Sequence, residues 1–400
     1  MNKSKILALA AVFTFFAAGR SPAESPSVPV PLLLDHDRMI VPVEIQLAGG
    51  ALRQARAWID TGGTEVIMAE PLARELGIQV SDLPNDRQKS LSDKHPIAVI
   101  RLGGMALDVE GLDLLVYPGR FALPGIPADF LLPARCLRRL HVVFDYPARS
   151  LTVALPGKLT PKGRAVPCRV NPQTGLFLVE TTIDGTKAAL GVDTGSAGTL
   201  VSEKQTEAWL ARHPGWSKAV GAAGSTNFFG YPFELKGILV SLPGLSIGPI
   251  PVAKEVAVAG HPQALFDWYS KKSAAPVVGF LGAELIARFR LEVDFPGQMT
   301  WWQAGPDRPW RDLDIVPLTL QPGEDGSYQV AGIVSRDGVP LVADVLAGDK
   351  LLGIDGLDVL NASMGTVVAA LRGEPGSVRV LRLERAGKPL AVKAKVVHLL

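Results

Sequence analysis

The tripeptide Asp-Thr-Gly stands twice in this chain of 400 residues, at Asp60-Thr61-Gly62 and Asp193-Thr194-Gly195. Each copy ends an apolar strand, Ala57-Trp58-Ile59 before the first and Leu190-Gly191-Val192 before the second. Each of those strands follows another strand and a tight turn: Met39 to Leu47 with Ala48-Gly49-Gly50, then Leu176 to Ile183 with Asp184-Gly185-Thr186. Helix-like runs come after, from Ala69 to Leu76 and from Ser202 to Leu210. Further on, Val142-Val143-Phe144-Asp145-Tyr146-Pro147 is echoed by Leu291-Glu292-Val293-Asp294-Phe295-Pro296. A repeat this long predicts two lobes of similar length, each mostly strands, each presenting one carboxylate at a strand end. Asp145 and Asp294 are duplicated too, but the Tyr-Pro and Phe-Pro that follow them mark turn residues rather than site acids.

Two such carboxylates face to face suit one chemistry. The ionised acid takes a proton from water as that water attacks a peptide carbonyl, and the protonated acid hydrogen-bonds the carbonyl oxygen. Like charges a few ångströms apart resist joint ionisation, so one proton stays on the pair and belongs to it as a unit.

A second signature lies in lobe two, Val277-Val278-Gly279-Phe280-Leu281-Gly282-Ala283-Glu284-Leu285-Ile286. On these motifs the chain resembles the retropepsin-like aspartic proteases, in a bacterial single-chain form with both lobes fused, over roughly residues 35 to 305. The resemblance implies an all-β fold of two protease lobes, with Asp60 and Asp193 as catalytic acids. It implies that Thr61 and Thr194 cross-link the loops through hydroxyl-to-backbone hydrogen bonds, and that Gly62 and Gly195 supply turn geometry and backbone donors. Ser196, after the second loop, carries a hydroxyl expected to donate to Asp193, whereas Gly63 offers Asp60 none. That difference predicts the charge on Asp193 and the shared proton on Asp60. Water is the nucleophile, so neither a metal nor an organic cofactor is required, and two lobes in one chain require no oligomer. Lobe one departs from the pattern at Asp129-Phe130-Leu131-Leu132-Pro133-Ala134-Arg135-Cys136-Leu137. Phe130 and Pro133 stand where the signature has glycines, which predicts different packing behind Asp60.

Lys3 and Lys5 precede an apolar stretch from Ile6 to Ala18, and Ser21-Pro22-Ala23 offers a small-x-small cleavage site. The stretch is short of the roughly 20 apolar residues of a membrane span. Residues 1–23 therefore read as a bacterial signal peptide, with the periplasm or the exterior as destination and no stable membrane insertion after cleavage. Cleavage removes three cations and no acid, taking the formal charge from +2 to −1. A near-neutral chain without a basic run gives nucleic acid no electrostatic footprint. Cys136 and Cys168, the only cysteines, fit either a disulfide formed in an oxidising compartment or two buried thiols. Two cysteines and scattered histidines offer no zinc-ligand spacing.

After Trp301-Trp302 and Trp310 a third unit begins. Its Gly348-Asp349-Lys350-Leu351-Leu352-Gly353-Ile354-Asp355-Gly356, with a helix near Met364 to Leu371 and strands at Val378 to Leu383 and Ala391 to Val397, resembles a small α+β bacterial PDZ domain. Such a module implies binding of extended peptides by strand addition; a structural appendage packed on the lobes is the other reading. The chain thus divides into signal peptide 1–23, lobe one 24–158, lobe two 159–312 and PDZ-like unit 313–400. Ser225-Thr226-Asn227-Phe228-Phe229-Gly230-Tyr231 reads as a flap over the cleft or a plain hairpin tip. The expectation is an exported aspartic endopeptidase acting on proteins or peptides, with the tail for recruitment or regulation. A decayed protease-fold scaffold that binds peptides through the tail is the alternative. A serine protease is excluded by the lack of a Gly-x-Ser-Gly-Gly type loop.

Overall fold

The computed structural model describes residues 28–78, 89–91, 97–109, 114–117, 128–228, 232–242, 244–253, 256–306, 312–323 and 325–400. The segment read as a signal peptide, 1–23, lies outside them. The chain is all-β in its two lobes, with few and short helices.

In lobe one, Arg38–Leu47 and Leu52–Asp60 form a long antiparallel hairpin. Met39, Val41, Val43 and Ile45 alternate along the first strand and all face the core, the period-two pattern of a pleated strand. The chain then turns at Asp60, forms Val66–Ala69, and enters the short helix Glu70–Glu75. Phe130–Pro133 returns between these strands, parallel to Leu52–Asp60 and antiparallel to Val66–Ala69.

Lobe two repeats the plan. Phe177–Ile183 and Thr186–Val192 form the hairpin, Thr199–Ser202 follows the turn, and Ser202 caps the helix Glu203–Arg212 by accepting the Gln205 N–H. Gly279–Leu281 threads parallel to Thr186–Val192 and antiparallel to Thr199–Ser202.

The departures at Phe130 and Pro133 therefore leave the threading intact, and residue volumes explain why. Phe130 lies opposite Ala57 in the parallel register. In lobe two the corresponding residue is Gly279, where an added Cβ would meet the Leu200 carbonyl oxygen at 2.5 Å, Val201 Cγ1 at 2.9 Å and Leu190 Cδ2 at 3.0 Å. Large and small thus stand in opposite order at these positions, Phe130 with Ala57 in lobe one and Gly279 with Leu190 in lobe two. Pro133 ends its strand and precedes a 3-10 turn, Ala134–Leu137, where Gly282 precedes the α-helical turn Ala283–Ile286.

The echoed segments turn out to pair with each other. His141–Asp145 runs antiparallel to Phe289–Asp294, with Phe144 opposite Leu291 and Val142 opposite Val293. Ser150–Ala154 and Met299–Ala304 flank them, Val30–Pro31 lies outside the former, and Arg164–Val170 pairs with the latter and then continues into the lobe-two hairpin through Cys168 to Val170. This sheet joins the lobes beneath the two Asp-Thr-Gly turns. Asp145 and Asp294 each accept a turn N–H, from Ala148 at 2.9 Å and Gly297 at 3.1 Å. Cys136 and Cys168 are free and buried, and burial pushes each thiol up to about 12.

The C-terminal unit is a sheet in the order Leu318–Pro322, Tyr328–Ile333, Lys350–Ile354, Val378–Arg385, Lys388–Lys395, with the helix Met364–Leu371 capped by Ser363. Its core is continuous with lobe two: Leu318, Leu320, Tyr328, Leu351 and Val367 share one apolar cluster with Leu178, Ala219, Leu239, Phe266 and Phe280.

Candidate active site

The two Asp-Thr-Gly turns meet at the lobe boundary and lock together. The Thr61 hydroxyl donates to the Val192 carbonyl at 2.6 Å and accepts the Thr194 N–H at 3.0 Å. The Thr194 hydroxyl donates to the Ile59 carbonyl at 2.8 Å and accepts the Thr61 N–H at 3.2 Å. Both threonines are fully buried, so these four bonds form away from competing water.

Each carboxylate sits in its own turn. Asp60 Oδ1 accepts the N–H groups of Gly62 at 3.0 Å and Gly63 at 2.8 Å. Asp193 Oδ1 accepts those of Gly195 at 2.8 Å and Ser196 at 3.0 Å. The glycines matter for a second reason. A Cβ on Gly62 would overlap the Asp193 carboxylate, and one on Gly195 would overlap that of Asp60. Neither glycine has a positive φ, so it is the approach of the facing acid, not the turn conformation, that excludes a side chain here.

The two acids share a hydrogen bond and are held unequally. Burial, then the Asp193 charge, then the hydrogen bond to Asp193 hold the Asp60 carboxyl well above the usual carboxylate range. Burial raises Asp193 too, but the Asp60 hydrogen bond and the N–H groups of Gly195, Ser196 and Gly62 act against it. Asp60 is thus the more strongly raised of the two acids, and the shared proton belongs to the pair.

Ser196 contributes differently from the sequence expectation. Its hydroxyl donates to the Gly198 carbonyl, not to Asp193, and only its main-chain N–H reaches the acid. A serine hydroxyl two residues before a free carbonyl makes this local bond readily. After burial, the largest influence on Asp193 is the hydrogen bond from Asp60, which favours its charged form, whereas the facing acid raises Asp60.

The segment expected as a flap or hairpin tip lies in the connection of an antiparallel hairpin, Lys218–Val220 with Ile238–Leu242, and most of its described residues are buried. Gly224–Thr226 form a 3-10 turn, and Ser225, Thr226 and Asn227 are buried. Ser225 donates its N–H to Asp312 at 3.0 Å, and Leu320 holds the Asn227 carboxamide. The C-terminal unit covers this turn, which sequence alone could not place. Residues 229–231 lie outside the described residues.

Other groups near the turns gave no signal in the sequence. Arg38 is buried, pairs with Asp35 at 3.1 Å and lies 5.2 Å over the Trp58 ring. Lys272 crosses from lobe two to Glu65, five residues past Asp60, at 2.8 Å, and lies 3.8 Å from the Trp268 ring centroid. The Lys272–Glu65 pair joins segments 207 residues apart, and Arg38, though paired locally with Asp35, reaches Trp58 only through the packing of the hairpin.

No protein-family profile and no curated protein sequence matches the chain. Among solved structures it is similar to an aspartic proteinase from Irpex lacteus, with 12% identity over 70% of this chain and 98% of that one, at a TM-score of 0.38.

Proposed function

We propose that this chain is an aspartic endopeptidase, and the observation that carries the reading is the pair of hydrogen-bonded acids held in two threonine-locked turns. Asp193, ionised, takes a proton from the attacking water. Asp60, protonated, donates to the carbonyl oxygen of the scissile peptide and so stabilises the tetrahedral oxyanion. The threonine lock and the turn N–H groups keep the acids in place, so little reorganisation accompanies the charge movement.

The substrates are proteins or peptides, bound between the lobes. In this reading the chain is exported after loss of residues 1–23, acts in the periplasm or outside the cell, and works as a single copy. The C-terminal unit serves recruitment or regulation as a PDZ-like module.

The test is hydrolysis of a fluorogenic peptide library by wild type, Asp60→Asn and Asp193→Asn. Asn keeps the shape but removes the charge and the exchangeable proton. Turnover is expected in wild type and lost in both variants, with a hydroxyl-bearing transition-state mimic inhibiting wild type. Undiminished cleavage by either variant overturns the reading.

A further inference from the structure

Leu318–Pro322 is the terminal strand of the C-terminal sheet, paired on one side only, with Tyr328–Ile333. The other side of such a strand exposes unpaired N–H and C=O groups and invites a further strand. Here that side is taken. The Leu320 N–H donates to Asn227 Oδ1 at 2.7 Å, and Asn227 Nδ2 donates to the Leu320 carbonyl at 3.1 Å.

A carboxamide has the donor and acceptor of a peptide group, so Asn227 makes the two bonds that a residue of an added strand would make. One residue earlier on the same strand, Thr319 Oγ1 donates to the Ala222 carbonyl at 2.6 Å and accepts the Ala222 N–H at 3.3 Å. Glu234 orients the carboxamide from behind, accepting from Asn227 Nδ2 at 3.1 Å and from the Phe228 N–H at 2.6 Å. Asn227, Glu234, Thr319 and Leu320 are all buried.

We propose that Ala222–Phe228 of lobe two is an internal ligand of this strand edge, so that the C-terminal unit is closed to extended peptides until the segment lets go. The segment belongs to the connection between strands Lys218–Val220 and Ile238–Leu242, so an extended peptide adding to Leu318–Pro322 frees that connection from the C-terminal unit. A tethered segment competes at an effective concentration that a free peptide reaches only near the millimolar range. The edge is therefore a latch between the C-terminal unit and lobe two. The inference does not depend on the catalytic reading, because its test measures amide exchange and binding rather than hydrolysis.

The experiment compares the full chain with Asn227→Ala. Amide exchange at Leu320 is expected to be slow in wild type and at least tenfold faster in the variant, with the interior strand Lys350–Ile354 unchanged. A fluorescent octapeptide with the sequence Gly221 to Phe228 is then titrated against both. It is expected to bind Asn227→Ala at least tenfold more tightly than wild type. Equal binding to both proteins, or binding to neither, overturns the proposal. Should Asn227→Ala fail to fold, wild type alone decides: Leu320 exchanging as fast as an exposed amide overturns the closure, and protection there supports it.

Discussion

Thr61 and Thr194 each donate a hydroxyl to the carbonyl just before the other loop's aspartate, Val192 and Ile59 respectively, and each accepts the other's N–H. One side chain thus fixes the height of the opposite acid as well as its own turn. The four bonds cross the lobe boundary at fully buried residues, which ties lobe docking to the placement of the dyad.

Thr61→Val keeps the shape and removes both bonds of that hydroxyl. The Val192 carbonyl and the Thr194 N–H then stay buried without this partner, at about 1 to 3 kcal/mol each. Urea unfolding should show the midpoint falling, with peptide turnover lost alongside it. Thr61→Ser retains the hydroxyl and should remain close to wild type in both measurements. Loss in Thr61→Ser with Thr61→Val unchanged would show that the methyl group, not the hydroxyl, holds the loops.

The raised Asp60 group carries a stability cost with a definite pH dependence. An unfolded aspartate titrates near 3.9, whereas burial and the Asp193 charge lift the folded value well above that. Between the two values the folded state binds more protons, so stability falls as pH rises, and below both values the cost vanishes. Asp60→Asn removes the cost. Its stability relative to wild type should therefore grow between about pH 4 and 7, by about 1.4 kcal/mol for each pKa unit of the shift. Urea midpoints at the two pH values are the check, and an Asn variant that gains nothing at pH 7 contradicts the assignment.

Ser196→Ala separates the hydroxyl from the main-chain donor. The hydroxyl bonds Gly198, and the N–H that reaches Asp193 survives the substitution. The acidic limb of the turnover profile should move by less than about half a pKa unit, about 0.7 kcal/mol. A larger upward displacement would mean that the hydroxyl itself stabilises the ionised acid.

Phe130→Gly tests the volume exchange behind Asp60. Restoring glycine empties a buried aromatic site and should cost about 3 to 5 kcal/mol, the range for truncating a core phenylalanine. Adding Ala57→Leu reproduces the lobe-two arrangement of Leu190 beside Gly279 and should recover part of the loss. A double-mutant cycle measures that coupling. Additive losses from the two substitutions would mean that the sites pack independently.

Much of the lobes was legible in the residues themselves. Alternation at Met39, Val41, Val43 and Ile45 defines a strand because the pleat has period two. Asp60-Thr61-Gly62 and Asp193-Thr194-Gly195 end such strands, and their short-range bonds, from Gly62 and Gly195 to the preceding acid, need only local geometry. The repeat also marked the segments Val142 to Pro147 and Leu291 to Pro296 as equivalent. That they lie opposite each other in one sheet follows from the docking of the lobes.

Side-chain direction within a turn and contacts between distant segments had no signature in the residue types. The Ser196 hydroxyl chose Gly198 over Asp193 because the turn carries the side chain away while bringing the N–H inward. Phe130 looked like a defect until its opposite residue, Ala57, was known, since packing depends on the summed volume of both. Asn227 reads as an ordinary turn residue, and only the arrival of Leu320, 93 residues later, makes it a strand partner. The sequence by itself determined the strands, the turns and the two acids, which rest on neighbours along the chain. The tertiary structure decided how unequally the two acids are held, how each core is filled and what closes the C-terminal sheet edge, because burial and long-range pairing exist only once the chain is folded.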